Sequence, residues 1–306
     1  GSSLATPPWV AIIAIASLVV LGKVQFFITL FFLIAPLLMM WSCFYLLKKL
    51  TSNTWISIPA ALLYALSPVA LASISSGHIA TLVLLIAAPM VALILHDWWS
   101  IEIYSWRKIF SVSLLFSLLY AFTLMSFIIA LVAAIAISVD NYREFALTLD
   151  KKLFDERTLK RSALVFVPFF VNAPFSLQAL VNPSRFLTEP GLLIPGGGSL
   201  PVLLGNPGGT GSVPLWLVSP ILLILAISLF SSTHARRIAE YGLGALTLAV
   251  FVGSLSISTH GNEGVAKVWT GPVLSIATLA AVAAGTVLLD SLRQTLVLSH
   301  VHYRHV

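Results

Sequence analysis

The residues of this chain able to do chemistry are few and widely spaced. Ser75-Ser76-Gly77-His78 opens a long apolar run. Either serine can cap a helix there and Gly77 permits a tight turn, while the amide groups of the helix start favour an anionic headgroup or phosphate to which His78 could donate. Asn172 lies inside another apolar run, between Phe169-Phe170-Val171 and Ala173-Pro174. It is expected to serve a backbone group freed by Pro174 or, alternatively, to contact a buried substrate. Glu189 and Glu263 are the carboxylates of the outer loops, with Arg185 beside the first and His260, Asn262 and Lys267 near the second. General acid and base work needs two such groups in reach of one substrate, and solvated loop residues are the alternative reading. Ser76, Gly77, His78, Asn172, Arg185, Glu189 and Glu263 are therefore the candidate residues for binding a substrate or lipid phosphate.

Other patterns point away from chemistry. Gly196-Gly197-Gly198 and Gly205-Asn206-Pro207-Gly208-Gly209 lack the Lys-Ser/Thr pair of a phosphate loop and read as lid or turn material. The spacing of His300, His302 and His305 could hold a metal only loosely, three such histidines are more often simply exposed, and no metal or cofactor is expected. Cys43, the single cysteine, lies in an apolar run, which excludes an intramolecular disulfide and a thiolate zinc cluster.

The elements that must position these residues belong to a membrane. Of 306 residues, 58% are hydrophobic and only 9% are Asp, Glu, Lys or Arg. A soluble domain carries roughly a quarter charged residues, so lipid must be part of this chain's solvent, and the mean hydropathy of +1.00 agrees. The net charge of +6 comes from basic residues at segment ends, where they set topology, and nucleic acid is not an expected partner. The apolar segments run approximately Trp9–Leu21, Val24–Leu47, Trp55–Ser73, His78–His96, Ile109–Ala121, Leu124–Val139, Ser162–Leu180, Pro214–Phe230, Tyr241–Ile257 and Pro272–Leu289. The expectation is an all-α polytopic bundle of nine to ten membrane segments, forming a single domain over residues 1–306. Seven tryptophans, Trp9, Trp55, Trp98, Trp99, Trp106, Trp216 and Trp269, fall at segment ends as an interfacial belt would.

Charge placement resolves the long stretch from Ile109 to Val139. Read as a tight helical pair, it puts Lys48, Lys49, Arg107, Lys108, Arg143, Lys151, Lys152, Arg157, Lys160, Arg161, Arg236, Arg237, Arg293 and Arg304 on the cytoplasmic side and leaves Lys23, Arg185 and Lys267 outside. A single long helix would scatter them. The pair is therefore expected, with the C-terminus cytoplasmic and the protein in the plasma membrane. Residues 140–161 then form a cytoplasmic loop and residues 181–213 a Pro/Gly-rich outer loop whose spacing forbids regular helix. No carboxylate or basic residue falls well inside a segment, which argues against an ion-coupled pump.

Three stretches together carry a family resemblance: Gly1-Ser2-Ser3-Leu4-Ala5-Thr6-Pro7-Pro8-Trp9, then Ser76-Gly77-His78-Ile79-Ala80-Thr81-Leu82-Val83 leading to Ala88-Pro89, and the Pro/Gly-rich outer loop. They resemble the membrane region of actinobacterial cell-envelope glycosyltransferases, in which a family 2 glycosyltransferase domain is fused to a GT-C-like polytopic domain. The resemblance implies a membrane-embedded portion that binds polyprenyl-phosphate-linked sugar or acceptor glycan among membrane lipids. Such proteins often show Gly-Arg where this chain has Gly77-His78. No Asp-x-Asp occurs, and no carboxylate precedes Asp97, so the catalytic residues are expected in an upstream domain, the chain being an internal piece of a longer protein. The alternative is a lipid or glycan transporter, flippase-like and without transferase chemistry.

Overall fold

The computed structural model describes residues 6–51, 53–95, 104–148, 151–189, 199–208, 215–231, 233–258 and 265–298. They are overwhelmingly helical. In chain order the helices are α1 (Pro8–Ser17), α2 (Val24–Leu50), α3 (Thr54–Ala65), α4 (Pro68–Ser75), α5 (Ile79–Ile94), α6 (Trp106–Phe122), α7 (Met125–Thr148), α8 (Lys151–Val171), α9 (Phe175–Val181), α10 (Ser199–Leu203), α11 (Leu215–Ser228), α12 (Thr233–Ser254) and α13 (Gly271–Leu298). One short antiparallel pair, β1 (Ser256–Ser258) with β2 (Val265–Lys267), matches Ile257 to Ala266.

Local chemistry sets the helix starts. The Asn53 side chain accepts from the Trp55 amide at 3.0 Å to begin α3, and the Ser105 hydroxyl accepts from the Lys108 amide at 3.3 Å to begin α6. Ser67 caps α4, with Pro68 in the first position, where its missing N–H costs nothing. Inside the helices, buried hydroxyls donate back to carbonyls of the preceding turn, as Ser73 does to Val69 and Ser275 to Gly271. Serine and threonine thereby sit in an apolar setting with their polar atoms satisfied.

The chain divides into two compact units, one of residues 1–31 and 94–190, the other of residues 32–93 and 191–306. In the first, α8 packs on α6 and α7, and Ile109, Val112 and Leu164 form a small buried cluster with Tyr104. In the second, α13 packs on α12, α11, α3 and α4. Small residues let these helices approach closely: a Cβ at Gly242 would come within 2.9 Å of Ala280 on α13, and Ala277, Ala281 and Ala284 of α13 are fully buried.

Among the described residues three helical stretches are long and apolar enough to cross a membrane, Val24–Leu50, Thr54–Ser75 and Gly271–Thr295. Asp155–Val171 with Phe175–Val181 would make a fourth if that pair, bent by 98°, is one span. This is fewer than nine to ten, because apolar helices such as Pro8–Val20, Ile79–Ile94 and Met125–Val139 fall in the 10–17 residue range, short of the ~20 needed to cross alone. The stretch from Ile109 to Val139 is indeed two helices, parted at Thr123-Leu124, where the Thr123 hydroxyl accepts from the Met125 amide at 3.3 Å. Residues 140–161, expected as a loop, instead carry the end of α7 and the start of α8.

Candidate functional site

Ser76, Gly77 and His78 form the turn between α4 and α5, and the turn is built differently from the sequence expectation. Ser76 closes α4 rather than capping α5. Its amide bonds to Ala72 O at 3.0 Å, the Gly77 amide to Ile74 O at 3.4 Å and the His78 amide to Ser73 O at 2.9 Å. This crossed pattern is a Schellman ending, which needs a left-handed residue just past the helix, and Gly77 supplies it at φ +73°. The Ser75 hydroxyl turns back to Ala72 O at 3.1 Å. The His78 carbonyl then accepts from Leu82, the first regular bond of α5. The Ser76 hydroxyl, wholly buried, has no hydrogen-bond partner among the described residues.

The β1–β2 pair delivers a second group to the same place. It leads directly into Val268, Trp269 and Thr270, all buried, ahead of α13. The Trp269 ring lies on the His78 ring with centroids 3.6 Å apart and planes 7° apart, and its Nε1 donates to Thr81 Oγ1 at 3.0 Å. Trp269 is only 6% exposed, so it is not part of an interfacial belt; Trp55, at 87%, suits that role. Gly271 is required beside the stack, since a Cβ there would come within 2.7 Å of Thr81 Oγ1 and closer still to the indole nitrogen. The Thr270 hydroxyl is buried and, like Ser76, without a partner among the described residues. Its methyl group shares the wall at Gly253 with Val202 of α10, a one-turn helix inside the Pro/Gly-rich loop where regular helix was not expected: a Cβ at Gly253 would meet them at 3.2 and 3.1 Å.

The cluster is thus a fixed pair of aromatic rings with two buried hydroxyls adjacent to it in the chain. It offers binding surface and hydrogen-bonding capacity rather than a nucleophile. Among the described residues of this unit the carboxylates are Glu240, ion-paired with Arg236 at 2.9 Å, and Asp290, which accepts from Gln294 at 3.3 Å. Thr81, Trp269, Thr270 and Gly271 were not candidates from sequence. Only the placement of Trp269-Thr270-Gly271-Pro272 immediately ahead of a long apolar helix could have drawn attention to them.

The other candidates do not join this cluster. Asn172, Arg185 and Glu189 belong to the other unit. Asn172 Nδ2 donates to Ser117 O and to Pro168 O, both at 2.9 Å. Its amide thus ties α8 to α6, serving carbonyls other than those freed by Pro174. At the break itself the Phe169 carbonyl takes the Ser176 hydroxyl at 2.5 Å, because the Ala173 amide bonds instead to Phe170 O. Arg185 Nη1 donates to Gln178 Oε1 at 2.7 Å, with its guanidinium carbon 5.9 Å from the Phe175 ring centroid. Glu189 is half-buried at the end of the described segment. Glu263, His260 and Asn262 lie outside the described residues, as do the tail histidines. Among the described residues no three His, Cys, Asp or Glu gather as a metal site would require. Cys43 is buried within α2.

No family model matches the chain, and no curated protein or solved structure shows significant similarity to it.

Proposed function

We propose that this chain is the membrane-embedded portion of a bacterial cell-envelope glycosyltransferase, a GT-C-like bundle that holds a polyprenyl-phosphate-linked sugar or acceptor glycan. In this reading the catalytic carboxylates lie upstream of the chain, the shorter apolar helices complete nine to ten membrane segments, and the C-terminus faces the cytoplasm of the cell. The carrying observation is the pair of buried hydroxyls, Ser76 and Thr270, without partners among the described residues and beside the His78–Trp269 stack. Buried polar groups are almost always hydrogen-bonded, and one left open in an apolar setting marks where a ligand or water donates and accepts. A hydroxyl-rich sugar supplies such partners, and aromatic rings supply the flat apolar contact that sugar faces use. The resemblance of Ser76-Gly77-His78-Ile79-Ala80-Thr81 to the envelope enzymes points the same way.

The test uses the full-length protein in nanodiscs with a photoreactive polyprenyl-phosphate sugar. Cross-linking is expected within 76–81 or 268–271. Ser76→Ala and Thr270→Val each reduce sugar transfer at least about fivefold while thermal stability is maintained, since removing an unsatisfied hydroxyl costs the fold little. Transfer at the wild-type rate in both variants, with cross-links elsewhere, would sink the reading. The transporter alternative rests on the bend of 98° between the two halves of α8–α9, a geometry shared by the discontinuous helices of transporters. It predicts movement of labelled lipid-linked sugar across proteoliposomes with no new glycosidic bond.

A further inference from the structure

The α8 helix ends at a break, and α9 leaves it at 98°. One side of α9 is clamped to its own unit, that of residues 1–31 and 94–190. Ser176 and Ala179 are fully buried there, and the Ser176 hydroxyl donates to the Phe169 carbonyl of α8. Just beyond α9 a single helical turn, Pro183–Phe186, lays the Phe186 ring on Phe169, with centroids 6.4 Å apart and planes 10° apart, and 6.0 Å from Phe127. Phe127 is in the first turn of α7, next to Thr123-Leu124. The segment therefore sits at the end of this unit where α6 hands over to α7.

The other two sides of α9 differ from each other. Leu177, Leu180 and Val181 form an exposed apolar stripe, the last two at 60% and 80% exposure, while Gln178 occupies the third side. At about 100° per residue the buried, apolar and polar sides are about 120° apart. The stripe continues the exposed apolar surface of Phe170 and Val171 at the end of α8. After α9 the chain turns polar, with Asn182, Ser184 and Thr188 exposed, and hydrocarbon would leave such groups unpaired. Arg185 joins the polar side, its Nη1 donating to Gln178 Oε1 at 2.7 Å. That bond uses one of five guanidinium donors and brings no negative charge, so it orients the cation without neutralising it.

An exposed apolar stripe beside a polar side that carries a cation is the pattern of a helix lying in the plane of a membrane surface. We propose that α9 and the turn after it form such an in-plane element, with Leu177, Leu180 and Val181 among the acyl chains and Arg185 on the phosphate of an anionic glycerophospholipid. The planar guanidinium matches phosphate oxygens, and acidic lipids gather at basic residues near the membrane surface. The right-angled bend gives α9 this orientation if α8 runs across the bilayer. The element is apart from the His78–Trp269 cluster and does not depend on the sugar-binding reading.

The test uses the full chain in nanodiscs of dioleoylphosphatidylcholine and dioleoylphosphatidylglycerol. A nitroxide on Leu180→Cys is expected to collide more with oxygen than with a water-soluble nickel chelate, about 5–10 Å below the phosphates, and one on Asn182→Cys to show the reverse. Nickel access dominating at both positions, or both lying at the bilayer centre, would overturn the in-plane placement. A phosphatidylglycerol with a photoreactive headgroup is expected to label the peptide containing Arg185, and unmodified phosphatidylglycerol to compete at least about fivefold better than phosphatidylcholine. Arg185→Gln abolishes that difference while the Leu180→Cys depth stays the same. A preference that survives Arg185→Gln, or competition by a short polyprenyl phosphate but not by phosphatidylglycerol, would overturn the lipid assignment.

Discussion

Gly271 shows how tightly a single position controls the candidate site. Its α-carbon faces the Trp269 indole and Thr81 Oγ1, where an added methyl has no room. Gly271→Ala must therefore push the indole off His78 or break the Trp269–Thr81 hydrogen bond, and overpacking of this kind costs about 1–3 kcal/mol. The expected result is a lower thermal midpoint together with a shifted tryptophan emission, and unchanged values of both would show that the stack tolerates displacement. The sequence disclosed half of this arrangement. Ser76-Gly77-His78 was readable as a turn, because glycine between two apolar helical runs has few other uses. Which helix the serine serves was not, since the end of α4 and the start of α5 share the same few residues. The burial of Trp269 was hidden for a different reason: its partners, His78 and Thr81, lie on α5 and the turn before it, remote in the chain, and position at a segment end says nothing about them.

The break between α8 and α9 illustrates the element scale. Pro174 cannot donate to the preceding turn and biases Ala173 away from the helical region, so a break here follows from sequence alone. What holds the broken end to its neighbour does not, because the Ser117 carbonyl that Asn172 reaches belongs to α6. Asn172→Ala removes both donated bonds and leaves the Ser117 carbonyl without that donor in a buried setting. The expected loss is about 1–2 kcal/mol in thermal unfolding, measured in detergent. Under the proposed transferase function, sugar transfer per folded molecule stays at the wild-type value, since the amide is engaged by backbone, and a selective loss of transfer at unchanged stability would instead make Asn172 a ligand contact. The division of α6 from α7 was legible for a reason unrelated to local propensity: the placement of Lys48, Lys49, Arg107 and Lys108 required an added turn of the chain. The helical ends that α7 and α8 carry into residues 140–161 were missed because mixed charges read equally as a solvated loop and as a solvated helix face.

At the scale of the whole molecule, the count of crossings turns on whether short helices span. The α5 helix has 16 residues, about 24 Å at 1.5 Å per residue against a hydrocarbon core of about 30 Å. Local thinning of the bilayer accommodates a deficit of that size at a modest cost per ångström. If α5 crosses, Lys49 before α3 and Lys108 at the start of α6 share one side of the membrane; if it does not, they are on opposite sides. Cys43 is fully buried, so the native thiol gives little background to an impermeant maleimide. Lys49→Cys, Lys108→Cys and Arg237→Cys are expected to label only after spheroplasts are permeabilised, and Arg185→Cys in intact ones. Labelling of Lys108→Cys from outside, with Lys49→Cys still protected, would remove α5 from the crossings. It would also undo the charge segregation on which the expectation of a cytoplasmic C-terminus depends, because each helix after α5 would then run in the opposite sense.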